Sequence, residues 1–263
     1  MAEPLLSVRG LRKSFGGVHA VDGVDFDLAA GELLALIGPN GAGKSTTFNM
    51  VGGQLRADAG TIRLAGRELA GLPPRAIWRL GVGRTFQIAQ TFASLTVAEN
   101  VQMALLSQDR KIYGLWWRAA GHRRADALQL LAQVDMQALG DAPCSALAYG
   151  DVKRLELAIA LAHRPRLLLM DEPTAGMSPA ERHALMQLTR RLVSEQGTAV
   201  LFTEHSMDVV FAHADRVLVL ARGRLIAQGT PAQVRADPLV QQVYLGSGAM
   251  LAPAAAQGGR VDG

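Results

Sequence analysis

The chain of 263 residues is 49% hydrophobic and carries 27 Lys and Arg against 23 Asp and Glu, enough to bury a full core and too mild a basic excess to read as a nucleic-acid binder. Cys144 is its only cysteine, which excludes an internal disulfide or a cysteine-cluster metal site, suits a reducing compartment and leaves the residue as small apolar filler. The opening MAEPLLSVRG has an acid and a proline where a signal peptide needs cations and a long apolar core, and no apolar run reaches membrane-spanning length, so the expectation is a globular chain, cytosolic or peripherally bound, whose pI of about 9.6 suits an anionic surface such as a membrane face or a nucleotide.

Short apolar runs alternate with helical patterns along the chain, the sequence form of an α/β fold with a largely parallel core sheet. Residues 5–11 and 24–28 read as strands joined at Gly16-Gly17, an antiparallel layer that residues 61–64 join. A buried strand at 33–37 runs into GPNGAGKST, residues 38–46, which matches G-x-x-x-x-G-K-[ST] between a strand and a helix beginning at Lys44. Gly38, Gly41 and Gly43, with Asn40 and Ala42 between them, let the backbone curl so that consecutive amides point into one concavity. Lys44 adds a cation for β- and γ-phosphates, the Ser45 hydroxyl can ligate Mg²⁺, and Thr46 completes the motif. From about residue 97 to 142 the strand signal gives way to helical patterns at 97–106 and 124–136, a helical insertion.

LAYGDVKRLEL, residues 147–157, then looks like half of a binding site. A turn with Tyr149 and Gly150 leads into a helix from Asp151 whose Val152, Leu155, Ile159 and Ala162 recur at spacings of three and four, so the amides of its start face outward and attract anions. The turn itself has no lysine, metal ligand or general base, and Lys153 and Arg154 lie already inside the helix. Next, RLLLMDEPT, residues 166–174, is an apolar strand ending in two acids: Asp171 is placed to hold the water shell of Mg²⁺, and Glu172 to orient an attacking water or accept its proton. A helix over 180–194, a strand at 199–203, a β-ribbon over 216–228 turning at Arg222-Gly223, and a tail beyond Gly246 with a disordered composition complete the reading.

On these motifs the chain resembles the nucleotide-binding subunit of an ATP-binding cassette (ABC) transporter over residues 5–246. The resemblance implies an α/β P-loop NTPase core with an N-terminal antiparallel β layer and an inserted helical subdomain at about 90–163, in one ABC ATPase domain (1–246) followed by a flexible tail (247–263). It adds site residues in the family's fixed order. Gln87 in GRTFQ matches the glutamine that senses Mg²⁺ and the γ-phosphate, and Leu147 to Asp151 match the signature turn, with Ala148, Tyr149 and Gly150 facing a nucleotide. His205 in FTEHSMD matches the switch histidine, and Phe15 in KSFGG stands where an aromatic stacks on adenine. Singly, Gln87 reads as a surface glutamine, His205 as a loop histidine and Phe15 as a core aromatic; order and spacing favour the functional reading.

The resemblance also supplies the other half of the signature site, since in the family two ATPase subunits face each other head to tail and each ATP lies between the phosphate loop of one and the signature turn of the other. It implies ATP and Mg²⁺ as ligands and no nucleic acid. Its partners are a second ATPase subunit (a non-identical paralogue or another copy), transmembrane permease subunits and, indirectly, a substrate-binding protein. The chain would then sit peripherally on the cytoplasmic face of the inner membrane. Within the family, GVGRTFQ (81–87), LAYGD, AGMSPAE (175–181) and RADPLVQQVYLG (235–246) are similar to the importers of branched-chain amino acids and related amides or urea. Lipopolysaccharide-export ATPases share the architecture; soluble ABC proteins of translation or repair carry two cassettes or a long coiled coil, neither of which is present. Ala148, Asp151 and Ser178 depart from the family's serine, glutamine and acid, which points to a weaker composite site. KIYGLWWRAAGHRR, residues 111–124, reads first as a surface helix and second as a border with a membrane subunit.

Overall fold

The structure is a computed structural model of the whole chain, described here for residues 3–85, 91–108 and 123–245. In chain order its elements are β1 (Leu6–Phe15), β2 (Val18–Leu28), β3 (Leu33–Ile37), α1 (Lys44–Val51), β4 (Ala59–Leu64), β5 (Arg67–Glu68), α2 (Pro74–Arg79) and β6 (Val82–Thr85). Then follow α3 (Val97–Gln108), α4 (Arg124–Gln133), α5 (Tyr149–Leu161), β7 (Leu167–Asp171), α6 (Pro179–Gln196), β8 (Ala199–Thr203), α7 (Met207–His213), β9 (Arg216–Ala221), β10 (Arg224–Gly229), α8 (Pro231–Ala236) and α9 (Pro238–Leu245).

Two sheets organise the described residues: an antiparallel one in the order β2-β1-β4-β5, and a six-stranded one in the order β10-β9-β3-β8-β7-β6. In the second every pairing from β9 to β6 is parallel, and only β10 runs antiparallel to β9. The two-residue period of its strands divides the core. Leu33, Ala35, Ile37, Leu168, Met170, Val200 and Phe202 face the helices α3 to α6, whereas Leu34, Leu36, Leu167, Leu169, Ala199 and Leu201 face α1 and the antiparallel sheet. Both faces of β3 are covered, which is why LLALI is apolar throughout and buried at every position. Cys144 is buried in the helical side of this core, as filler should be.

Several elements differ from the sequence reading. The N-terminal hairpin is longer than expected, because β1 and β2 stay paired through the polar positions Ser14 and His19 up to the turn at Gly16-Gly17. α2 and β6 are new: PRAIWR is only six residues long, and VGRT is a four-residue edge strand holding a glycine and an arginine, so neither gives a periodic apolar signal. α4 stops at Gln133, short of 136, and Asp135 beyond it adopts a left-handed φ of 57°. α5 begins at Tyr149, not Asp151, so Gly150 belongs to the first helical turn. The expected tail, and the 111–122 part of the tryptophan-rich stretch, lie outside the described residues.

α6 and α7 meet through a histidine pair: His183 Nδ1 and His213 Nε2 are 3.0 Å apart, and Asp208 Oδ2 lies 3.6 Å from His183 Nε2. Burial, then the neighbouring His183 and Arg190, hold the His213 pKa below its ordinary 6.5, with Asp208 opposing. Burial likewise lowers His163, whose ring lies 4.6 Å from that of Trp78. A histidine depressed in the folded state gives stability that is complete above its unfolded value and lost as pH falls through the folded one. The urea midpoint should therefore drop between about pH 7.5 and about pH 5.5, the range in which an ordinary histidine titrates. His213→Gln should flatten that drop, which equilibrium unfolding at several pH values measures; an unaltered slope would remove His213 as a source of it.

Candidate functional site

The loop after β3 has a conformation that its glycines permit. Gly38 has φ 153° and a Cβ there would stand 2.2 Å from the Leu220 carbonyl oxygen; Gly43 has φ 102° and would meet Ala20 O at 2.4 Å. The β9–β10 turn braces the loop from behind, with the Gly223 amide donating to Ala42 O at 3.0 Å and the Gly223 carbonyl accepting from the Asp22 amide at 2.8 Å. Gly43 is the N-cap of α1, and the Thr47 amide closes the first helical turn onto Gly43 O at 2.9 Å, which leaves the amides of Lys44, Ser45 and Thr46 for an anion. Asn40 and Gly41 form the exposed tip of the loop, Ala42 is buried beneath it, and Thr46 is half-buried.

Lys44 is buried, and its Nζ donates to Gly38 O at 2.7 Å and Pro39 O at 3.2 Å. Burial pushes its pKa down, while the charges of Glu172 and Asp171 oppose that. The acids at the end of β7 are therefore electrostatic neighbours of the loop cation. Asp171 accepts a 2.7 Å hydrogen bond from Thr203 Oγ1 and a 3.4 Å one from Arg84. Arg84 is itself held by Asn49 at 2.8 Å and Gln54 at 2.7 Å, and lies 4.9 Å from the centre of the Phe48 ring, so α1, β6 and β7 converge on one guanidinium.

Glu172 has a left-handed φ of 48°, a conformation that costs a non-glycine residue about 1 kcal/mol or more. Its amide is anchored at 3.2 Å to Thr203 O and at 3.1 Å to Thr203 Oγ1. One hydroxyl thus accepts from the Glu172 backbone and donates to the Asp171 carboxylate. Glu172 Oε1 in turn lies 2.8 Å from His205 Nε2, and since a carboxylate only accepts, Nε2 is the donor. Beneath them Glu204 is buried, and its carboxylate accepts from Thr174 N at 2.9 Å, Thr174 Oγ1 at 2.6 Å, His205 N at 3.1 Å and Ser206 N at 3.4 Å. That buried charge staples the loop after β7 to the loop after β8, fully hydrogen-bonded as burial requires.

The structure thus gathers Lys44, Asp171, Glu172 and His205 at the carboxyl ends of β3, β7 and β8. Thr203, Arg84 and Glu204 support them, and the sequence reading assigned none of the three a role. The signal for Thr203 and Glu204 was their place at the carboxyl end of a buried parallel strand, where open α/β sheets bind ligands. Phe15, at the end of β1, is 49% exposed, with the Lys13 ammonium 5.5 Å from its ring centre. Gln87 lies outside the described residues. The start of α5 is seated on residues 175–181: Tyr149 Oη donates to Ala175 O at 3.2 Å, and a Cβ at Gly150 would come within 3.1 Å of Glu181 Oε1. Lys153 is buried in an ion pair with Glu156 at 3.0 Å. Ser178, where the family has an acid, is the N-cap of α6 and forms a capping box with Glu181.

Mg²⁺ is a hard cation that takes oxygen donors and keeps much of its water. The exposed Ser45 hydroxyl and the Asp171 carboxylate, pre-oriented by Thr203, are donors of that kind and fit it. Among the described residues no group of three His, Cys, Asp or Glu could hold a metal ion by itself.

A family model described as ABC transporter matches residues 21–175, and one described as branched-chain amino acid ATP-binding cassette transporter matches residues 224–249. The chain is 40% identical over 253 residues to the high-affinity branched-chain amino acid transport ATP-binding protein LivG of Escherichia coli K12, covering 94% of this chain and 99% of that protein. It is 39% identical to BraF of Pseudomonas aeruginosa, a protein of the same description, with coverage of 94% and 99%. Among solved structures it superimposes on a nucleotide-free ATP-binding cassette from an ABC transporter with a TM-score of 0.83 at 29% identity, covering 92% of this chain and 99% of that one. A cassette in its ADP conformation gives a TM-score of 0.82 at 29% identity, covering 93% and 100%.

Ala148 is the N-cap of α5, exposed, in the extended conformation that a capping serine adopts, and without a side-chain cap. Ala148→Ser should stabilise the free chain by about 1 kcal/mol, the usual worth of such a cap. Urea unfolding without nucleotide measures it, and an unchanged midpoint would show that a serine there does not bond the helix start.

Proposed function

The chain belongs to the ABC transporter family and is an ATPase of it, and on that footing we propose that it powers the import of branched-chain amino acids or related amides from the cytoplasmic face of the inner membrane. The observation that carries the substrate class is the match of residues 224–249 to the branched-chain amino acid cassette model, in line with the names of the relatives that cover nearly the whole chain. ABC ATPases dimerise and work with transmembrane permease subunits. Here the partners are a second ATPase, non-identical or another copy, the permease, and through it a substrate-binding protein. No helix among the described residues is long and apolar enough to cross a membrane.

In this reading the amides of the 38–46 loop and the Lys44 ammonium hold the β- and γ-phosphates. ATP displaces the Gly38 and Pro39 carbonyls as the ammonium's partners, and the desolvated cation, kept charged by Asp171 and Glu172, meets the phosphate charge with little water to screen it. Ser45, Asp171 and Gln87 would hold Mg²⁺, which supplies charge neutralisation at the phosphate oxygens. Glu172 takes the proton of the attacking water, and His205, donating at 2.8 Å, fixes the carboxylate that does so. Phe15 offers its exposed face to adenine. The start of α5, with Ala148, Tyr149 and Gly150, presents its free amides to the γ-phosphate held by the partner's loop.

Lys44→Ala should abolish tight ATP binding and leave the far-UV circular dichroism unchanged; retained affinity in a nucleotide titration would move the phosphate site elsewhere. Glu172→Gln should keep ATP affinity while turnover falls by about 10²–10⁴, the scale of one general base. For the substrate, the co-purified transporter in proteoliposomes should accumulate leucine, isoleucine or valine in an ATP-dependent manner that Lys44→Ala removes. Uptake confined to an unrelated solute would overturn the assignment.

A further inference from the structure

The side chain of Tyr149 has no assigned task, yet it is placed where two functional turns of one chain meet. It is 49% exposed, so hydrophobic burial does not fix it. Three contacts do. Its hydroxyl donates to Ala175 O at 3.2 Å, its ring lies along the backbone of Gly176, where an added Cβ would stand 3.4–3.6 Å from the ring and phenol oxygen, and the Lys153 ammonium lies 5.7 Å from the ring centre. Lys153 is tied down in turn by its buried pairing with Glu156.

The carbonyl that Tyr149 binds belongs to the turn that carries Glu172. The Ala175 amide donates to Glu172 O at 3.1 Å, and Glu172 is the strained residue of that turn, with φ 48°. An unbroken line of contacts therefore runs from the start of α5, through the phenol, to the backbone of the carboxylate assigned to water activation. The other end of that backbone is anchored at Thr203. Without the hydroxyl the middle of this loop loses its tie to α5, while its ends stay held at Thr203 and by the Ser178 capping box.

We infer that Tyr149 is a positioning residue that couples the start of α5 to Glu172, so that the nucleotide gripped by α5 in one composite site adjusts the water-activating carboxylate of the other. The inference rests on the proposed roles of α5 and Glu172, and it adds a route within one chain between the two nucleotides of a dimer. A phosphate drawn onto the Tyr149 and Gly150 amides pulls the first turn of α5, and the phenol passes that displacement to Ala175.

The test uses the full chain, in complex with its co-purified partner subunits, and follows ATP hydrolysis against ATP concentration. Tyr149→Phe keeps the ring and removes only the hydrogen bond. It should lower kcat about five- to tenfold, the scale of one hydrogen bond, with KM within about twofold of the wild type. In a Glu172→Gln background the same change should leave ATP-dependent association of the subunits unaltered. A raised KM with unchanged kcat, or loosened association in that background, would show that the hydroxyl serves only the phosphate contact and overturn the coupling. So would wild-type kinetics, or a kcat loss matched by an equal fall in the urea midpoint. Retained turnover in Glu172→Gln alone would instead overturn the role of Glu172, and the coupling with it. Should Tyr149→Phe fold poorly, Tyr149→Leu, which removes the hydroxyl together with the ring, must give the same split between kcat and KM or the proposal falls.

Discussion

The parallel pairing of β8 between β3 and β7 is the constraint on which the site depends. Its register sets Leu36 beside Thr203 and Thr203 beside Asp171, so the 38–46 loop, Asp171, Glu172 and His205 all leave the sheet at one level. A shift of one residue would turn Phe202 out of the helical core and Leu201 into it. The apolar packing of the strands thus holds the polar chemistry in register. The Thr203 hydroxyl is where the two meet: it is the last residue of a fully buried strand, and it bonds the Asp171 carboxylate and the Glu172 amide together.

Parts of this were legible in the sequence because burial on both faces writes an unbroken apolar run. LLALI, LLLM and AVLFT read as strands without ambiguity, and the glycine pattern at 38–43 marks a backbone in which a Cβ at Gly38 or Gly43 would collide with a neighbouring carbonyl. The remainder was hidden for physical reasons. β6 is a four-residue edge strand that presents Arg84 to the site and buries a glycine and a threonine beside Val82, so its burial writes no apolar run. Glu204 is a buried acid, and in sequence a buried acid looks like a solvated one; its four donors come from residues 174, 205 and 206, which only the fold brings together. The polar half of the N-terminal hairpin pairs through backbone bonds that leave no periodicity behind.

Ser178 shows how a residue can depart from a family pattern without losing purpose. Read as a missing acid it suggests a weakened site, whereas in the fold it caps an eighteen-residue helix and engages Glu181, whose pKa is held down by the Ser178 hydroxyl and amide. The loop from Glu172 to Ser178 is thereby fixed at both ends, by Thr203 at the first residue and by the capping box at the last. A segment fixed at its ends and touched by Tyr149 in its middle has little freedom except as a unit, which is what a relay between two sites requires.

At the start of α5, local stability and ligand grip draw on the same charges with opposite sign. Asp151 stands in the first turn, where a carboxylate interacts favourably with the helix dipole by about 0.3–1 kcal/mol. The same carboxylate cancels part of the positive potential that would draw a phosphate there. Ala148 adds no hydroxyl, and Gly150 adds no side chain; a Cβ there would stand 3.1 Å from Glu181 Oε1, which would have to give way. Whatever this turn offers an anion in the proposed reading comes from backbone amides. In the proposed reading their grip on a phosphate is directional and takes its charge assistance from the anion alone, so it responds to the presence of a γ-phosphate and weakens once that phosphate leaves.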